Sequence, residues 1–236
     1  MIISDVLFAK LIVVCDTWDA IKRVLNRIGD IVNLTFKRGL CYVFGLFILS
    51  CGVSLTINAN LGVGPWDALT VGLSQRVGLT VGTWVIIVSL TMIGVNALLL
   101  RKRPEVTSIL TTLLLGYFVD FWLLIAFRQL EVAEILMQIV TFAIGLTLIS
   151  IGVATYLQAR FAPIPVDGFM IALQMLFGFK LMVAKMLTEL LALLLALLVA
   201  GPIGFGTLIV ALFIGPYIQF WYPKIEKLVY QVKPAT

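Results

Sequence analysis

The stretch Gly45-Leu-Phe-Ile-Leu-Ser-Cys-Gly-Val53 returns 100 residues later as Gly145-Leu-Thr-Leu-Ile-Ser-Ile-Gly-Val153, with five of nine positions identical. The same offset aligns three residue types that shape turns and helix ends: Pro65 with Pro165, Asp67 with Asp167, and Gly78 with Gly178. At an offset of 99, Gly116 and Phe121-Trp122 meet Gly215 and Phe220-Trp221. An apolar composition does not readily supply collinear Gly, Pro, Asp and Trp, so we interpret the match as an internal duplication.

The composition indicates that lipid surrounds most of the chain. Of its 236 residues, 61% are hydrophobic and only 12% are charged. A soluble domain carries roughly 25% charged residues. One ordinary core cannot hide such an excess of apolar surface, so the composition argues against a soluble enzyme and indicates one membrane domain.

Six apolar runs reach or approach the roughly 20 residues that a membrane helix needs: 40–58, 81–100, 106–127, 135–158, 181–200 and 203–222. Two shorter apolar stretches, 66–77 and 166–178, would reach only about 20 Å as helices, whereas a bilayer core is roughly 30 Å thick. They predict re-entrant half-helices or interfacial helices.

Basic residues indicate the orientation through the positive-inside rule. With six spans, and with both short segments returning to the side they left, 14 of the 17 Lys and Arg residues face one side. Arg76 and Arg128 face the other side, and Lys185 lies within a span. We therefore predict a multi-pass membrane protein with both termini in the cytoplasm. The bilayer then explains the net charge of +5, and no nucleic-acid partner is expected.

Each copy of the duplication reads as long span, short helix, long span, long span. Three crossings is an odd number, so the second copy has to be upside down in the membrane. The predicted fold class is an all-α integral membrane protein of six transmembrane helices in two inverted three-helix repeats, each with a short helix. The predicted segments are an N-terminal part (1–37), repeat 1 (38–130), repeat 2 (131–223) and a cytoplasmic tail (224–236).

An amphipathic helix is predicted over residues 14–32, ahead of the first span. Its apolar residues recur at alternating steps of four and three, the period of one helix face: Val14, Trp18, Ile21, Leu25, Ile28 and Val32. Such a helix lies on the membrane surface, or packs on a partner or on the membrane domain.

The first short helix opens with Gly62-Val-Gly-Pro-Trp-Asp67 and its mate with Ala162-Pro-Ile-Pro-Val-Asp167. A proline in the first turn loses no needed N–H, and a carboxylate there complements the positive helix end. Asp67 and Asp167 therefore either cap their helices or bind a cation or proton in a central cavity.

Three other ionisable residues lie inside spans, where they are costly and usually face a cavity or each other: Asp120, Lys185 and Glu189. Lys185 and Glu189 are four residues apart and can pair on one helix face, either as part of a site or as a structural ion pair. Trp66 and Asn60 complete the candidate substrate- or ion-binding residues, with an interfacial anchor and a loop cap as their alternative roles.

Catalysis and metal binding have no support in the residue types. The chain has no histidine, and its three cysteines (Cys15, Cys41 and Cys51) have no metal-ligand spacing. No nucleophile–base pair or phosphate loop is visible. We expect no catalytic residue, no metal and no cofactor.

The string Gly62-Val-Gly-Pro-Trp-Asp-Ala-Leu-Thr70, followed by Gly72-Leu-Ser and Gly78-Leu-Thr-Val-Gly-Thr-Trp84, resembles the bacterial YczE/YyaS/YitT family of membrane proteins. Gly204-Phe-Gly-Thr-Leu208 and Gly215-Pro216 are also similar to that family. The resemblance covers residues 38–222 and implies a multi-span protein of the cytoplasmic membrane, with no settled substrate.

Three functions remain open at this stage. The first is a secondary transporter that moves an unidentified small molecule by alternating access, with proton coupling through the buried acids as one mode. The second is a substrate-capturing subunit that needs an ATPase partner. The third is a non-transporting scaffold or a lipid-translocating protein. Self-association as a homodimer is compatible with each of them.

The basic-residue count gives a topology test. In a cysteine-free background, single cysteines at Arg76 and Arg128 should react with an impermeant maleimide in intact cells, because both loops are predicted to lie outside. Single cysteines at Lys102 and Arg160 should react only after the membrane is permeabilised. Labelling of position 102 from outside would contradict the six-span topology.

Overall fold

Helices account for the regular structure of the chain, and no strand occurs in the residues described. A computed structural model describes residues 36–161 and 163–229. The helices are α1 (Phe36–Asn58), α2 (Pro65–Val77), α3 (Val81–Leu100), α4 (Thr107–Phe121), α5 (Ile135–Leu157), α6 (Pro165–Phe177), α7 (Leu181–Leu198) and α8 (Phe205–Val229). The residues from Cys41 onward form one compact unit, and residues 36–40 are the first turn of α1. The amphipathic helix predicted over 14–32 lies outside the described residues.

Five of these helices are long and apolar enough, by length and composition, to cross a membrane: α1, α3, α5, α8 and the run Thr107–Ala126, in which a π-helical turn (Trp122–Ala126) extends α4. They match five of the six predicted spans. The sixth prediction, 181–200, coincides with α7, which has 18 residues and would extend about 27 Å at 1.5 Å per residue.

The two short helices begin and end as the sequence indicates. Pro65 starts α2 and Pro165 starts α6, and each helix has 13 residues. Each is about 20 Å long, too short for a bilayer core of roughly 30 Å. Both end at a glycine with positive φ, 88° at Gly78 and 67° at Gly178, a conformation that few other residues adopt without strain.

One boundary differs from the prediction. The last span was expected to end at residue 222, but α8 continues through Pro223 to Val229. Proline removes one backbone N–H from a helix interior, yet neighbouring side chains support this turn. The Lys224 ammonium lies 3.4 Å from the centre of the Phe220 ring and 5.0 Å from that of Trp221, and such cation–π contacts are stabilising.

α1 and α5 touch main chain to main chain through the four glycines of the repeated stretch. A Cβ atom added to any of these glycines would overlap the facing helix. The pairs are Gly45 with Tyr156, Gly52 with Ile149, Gly145 with Thr56, and Gly152 with Leu49. Because residue numbers rise along α1 as they fall along α5, the two helices run antiparallel.

The main hydrophobic core forms beside this contact. Leu46 and Val53 of α1, Leu115 and Val119 of α4, and Ile149 of α5 are all buried in it. The two short helices, α2 and α6, each pack against both α3 and α7. Each short helix therefore contacts a long helix from the other half of the chain.

The glycine contact gives a stability prediction. Gly52→Ala should lower the stability by about 1–3 kcal/mol, the usual cost of overpacking, because the new Cβ would lie 2.6 Å from the Gly145 carbonyl oxygen. Gly94→Ala is the matched control, since nothing lies within 4 Å of a Cβ there. Thermal unfolding of the purified protein in detergent measures both, and equal effects would contradict close packing at Gly52.

Candidate functional site

The ionisable residues of α6 and α7 form a chain of ion pairs. The Lys185 ammonium lies 2.7 Å from the Glu189 carboxylate, one helical turn along α7, and 3.5 Å from the Asp167 carboxylate. Lys185 and Asp167 are about as exposed as each other, at 40% and 36% of the side chain, whereas Glu189 is 17% exposed. Lys185 therefore links α6 and α7, two helices of the second half of the chain.

The first short helix brings a further acid to the same place. Asp67 lies in the first turn of α2, which packs along α7, the helix that carries Lys185 and Glu189. The Asp67 carboxylate also lies over Gly64, where an added Cβ would be 3.0 Å from its Oδ2. The chain thus gathers Asp67, Asp167, Lys185 and Glu189, which we name the charge cluster.

The two aspartates lie in the first turns of the short helices, Asp67 in α2 and Asp167 in α6. Neither α2 nor α6 has a side-chain hydrogen bond at its N-cap, which is Gly64 in one helix and Ile164 in the other. Both carboxylates still complement the positive end of their helix. Within the described residues, Asp167 has Lys185 as its partner, and the Asp67 carboxylate accepts no hydrogen bond.

The charge cluster holds three carboxyl groups and one ammonium group. If all were ionised the cluster would carry two excess negative charges among apolar helices, which is costly unless a proton or a cation joins it. No group of three or more His, Cys, Asp and Glu side chains is placed to hold a metal ion in the part of the chain that the structure describes. The arrangement is suited to binding a proton or a small cationic or polar ligand.

Asp120 has a different environment from the other predicted site residues. Its Oδ2 accepts a 2.5 Å hydrogen bond from the Thr80 hydroxyl, and its Oδ1 accepts one of 2.7 Å from the Gly82 N–H. Thr80 is the N-cap of α3, and its hydroxyl oxygen also accepts from the Thr83 N–H. Asp120 therefore ties α4 to the first turn of α3, with both of its oxygens engaged.

The last two candidates are not drawn into the charge cluster by any contact of the described residues. Trp66 packs against a small apolar core that includes Val63, Leu69 and Ala196. Asn60 is exposed in the turn after α1 with φ of 54°, a left-handed conformation that asparagine tolerates better than most residues. These surroundings agree with packing and loop-capping roles.

Tyr156 is a residue that the sequence reasoning missed. It is 2% exposed in α5 and lies within electrostatic range of Asp167 and Tyr42. The Tyr42 hydroxyl is in turn hydrogen-bonded to Thr111. The signal in the sequence was a hydroxyl group inside a predicted span. Tyr156 and its mate at the offset of 100, Thr56, are both polar.

Comparisons with known proteins place the chain among membrane proteins. Residues 36–223 match DUF6198, a family of unknown function. The chain is 38% identical over 186 residues to a Bacillus subtilis protein named "Uncharacterized protein YyaS", covering 79% of this chain and 92% of that protein. It is 36% identical over 197 residues to the "Uncharacterized membrane protein YczE" of the same organism, covering 83% and 90%.

A third relative, an uncharacterized protein of Haemophilus influenzae, is 29% identical over 187 residues, which cover 79% of this chain and 84% of that protein. No solved structure matches the chain. The resemblance to the YczE and YyaS proteins is confirmed, and together with the apolar helices it identifies a multi-pass membrane protein.

The contacts of Asp120 give a prediction that separates a cap from a binding residue. Asp120→Ala and Thr80→Ala should each lower the free energy of unfolding by about 1–2 kcal/mol, the usual cost of losing a helix cap. Because the two residues share one hydrogen bond, the double variant should cost less than the sum of the single variants. A double-mutant cycle in detergent measures this coupling, and strictly additive costs would contradict the tie.

Proposed function

We propose that this chain, which belongs to the DUF6198 family of unknown function, is a secondary transporter that moves a small molecule across the cytoplasmic membrane by alternating access. The charge cluster is its binding site. The observation that carries the proposal is the ion pair between the half-helix acid Asp167 and Lys185 on α7, a helix against which the other half-helix, with Asp67, also packs. Half-helix ends that converge inside a bundle are a recurrent way for transporters to build a site.

The repeat contacts support an inverted duplication of six spans, namely α1, α3, α4, α5, α7 and α8. Equivalent residues exchange partners: Gly45 faces Tyr156 as Gly145 faces Thr56, and these partners are themselves mates at the offset of 100. Helices that are equivalent in sequence and antiparallel in space are related by a twofold axis perpendicular to them. In a membrane that axis lies in the bilayer plane, the arrangement of inverted-repeat transporters.

The charge of the cluster supports coupling to protons or to another cation. Three carboxyl groups and one ammonium group favour the binding of a proton or another cation. Its release leaves uncompensated negative charge within the membrane, which is costly. In the first half, the mates of Lys185 and Glu189 are Val85 and Ser89, so the ion pair belongs to one half only. A symmetric scaffold with one specialised half can bind an asymmetric ligand.

Contacts at one end of the bundle support a gate. The loop before α2 meets the loop before α8 through backbone hydrogen bonds, Val63 N–H to the Pro202 carbonyl at 3.3 Å and Gly206 N–H to the Leu61 carbonyl at 2.8 Å. Gly62 and Gly204 touch there with no side chain between them. A seal made of two loops, with α2 beginning directly behind it, can open without unpacking α1 from α5.

Substitutions in the charge cluster test the proposal. Asp67→Asn, Asp167→Asn and Glu189→Gln should each abolish uptake driven by a pH gradient, because the neutral amide cannot take up and release a proton. The stability of Asp67→Asn and of Asp167→Asn should fall by only about 0.3–1 kcal/mol, the usual value of a charge near a helix end. The measurement is uptake of a labelled metabolite panel into liposomes that contain the purified protein, with and without the gradient.

Asp120→Asn is the matched control, since it also neutralises an acid within a span but lies in the tie between α3 and α4. It should retain uptake. Equal uptake by all four variants would remove the charge cluster as the site. Uptake that appears only with an added ATPase subunit would favour the ATPase-dependent alternative, and phospholipid movement in place of metabolite uptake would favour the lipid-translocating one.

A further inference from the structure

A cavity of about 620 Å³ lies where α3 ends and where α4 and α6 begin. The α3–α4 loop contributes the charged groups Lys102, Arg103 and Glu105 to its lining. The two flanking helices α3 and α6 contribute the apolar side chains Ile93, Leu100 and Ile171. The cavity therefore has one charged end and one apolar part, and its volume is within the range of about 300–1,000 Å³ typical of ligand sites.

The position equivalent to this cavity in the repeat is the sealed contact between the loops before α2 and α8. There the Val63 N–H donates to the Pro202 carbonyl. The repeat mate of Val63 is Pro163, which lines the cavity and has no N–H to donate. The sequence itself therefore removes one of the two backbone hydrogen bonds of the seal at this end, and the space that remains is available to a ligand.

The shape of the cavity matches the depth profile of a membrane. Lys102 and Arg103 follow the end of α3, where a span reaches the interface. Ile93 lies seven residues before Leu100 on that helix, so the lining continues about 10 Å toward the middle of the bilayer. A free anion needs only the charged end, whereas a phospholipid uses both the charged end and the apolar part.

The polar groups also indicate the kind of headgroup. Two basic side chains and one carboxylate leave one net positive charge, which matches a phosphodiester anion. The Asn96 amide donates through Nδ2 to the Pro165 carbonyl at 2.9 Å, which ties α3 to the start of α6 at the cavity wall. The Glu105 carboxylate is the acceptor at the charged end, and headgroup hydroxyls can donate to it.

We propose that this cavity binds one anionic phospholipid with a hydroxylated headgroup, as in phosphatidylglycerol, and that the lipid fills the place that the protein seals at the other end. Its phosphate lies on Lys102 and Arg103, a headgroup hydroxyl bonds to Glu105, and its glycerol ester region lies against Ile93 and Ile171. Basic pockets at the cytoplasmic ends of membrane helices commonly bind anionic lipids in this way. The site does not depend on transport.

Native mass spectrometry and thermal unfolding in detergent, with added phosphatidylglycerol, test the site on the full chain. The double variant Lys102→Gln/Arg103→Gln should bind phosphatidylglycerol about 30-fold more weakly, from the usual contribution of two basic residues near a membrane surface. It should also lose the rise in melting temperature that the lipid produces. The matched control Arg76→Gln/Arg128→Gln removes the same charge from residues outside the cavity lining and should bind as the wild type does.

Two further comparisons keep the proposal falsifiable even if the charge variant folds poorly. Ile171→Phe retains every charge but reduces the apolar space, and it should also weaken phosphatidylglycerol binding. Glycerol 3-phosphate should bind far more weakly than the lipid. Equal loss in the two double variants, equal binding of phosphatidylcholine, equal binding of glycerol 3-phosphate, or full binding by Ile171→Phe would each overturn the proposal.

Discussion

The backbone contact between α1 and α5 is the constraint on which the rest of the bundle depends. Four glycines remove the side chains that would hold the helices apart, and close approach gains dispersion contacts that lipid cannot replace as well. The contact fixes these helices as antiparallel. Since α2 follows α1 and α6 follows α5, the chain leaves these two helices in opposite directions, and both short helices then lie beside α3 and α7.

The two halves of the chain differ in the charged residues on their corresponding helices, α3 and α7. α7 carries Lys185 and Glu189 where α3 carries Val85 and Ser89, and Val85 packs against the main apolar core. The ammonium group of Lys185 pairs with Glu189 of its own helix and with Asp167 of α6, so each of these acids gains an opposite charge. This lysine, which belongs to one half only, thus supplies the positive charge of the proposed site.

The sequence was sufficient to predict the helices of the described residues and the proline starts of the short helices, because these follow from local composition and spacing. It also selected Asp67, Asp167, Lys185 and Glu189, since charges inside apolar runs are conspicuous. It could not separate Asp120 from them, because the Thr80 partner lies 40 residues away and only tertiary structure brings them together. The extension of α8 through Pro223 and the environment of Tyr156 were hidden for the same reason.

The tie between Asp120 and the first turn of α3 has a mechanical consequence. Gly116 packs closely against Gly82 and Ile86, so α3 and α4 are clamped both by packing and by the carboxylate. In the second half, Gln219 replaces that acid, and nothing lies within 4 Å of a Cβ added to Gly215, the mate of Gly116. The first hairpin is therefore held both by close packing and by a carboxylate, whereas α7, which carries Lys185, is held by the two short helices that pack against it.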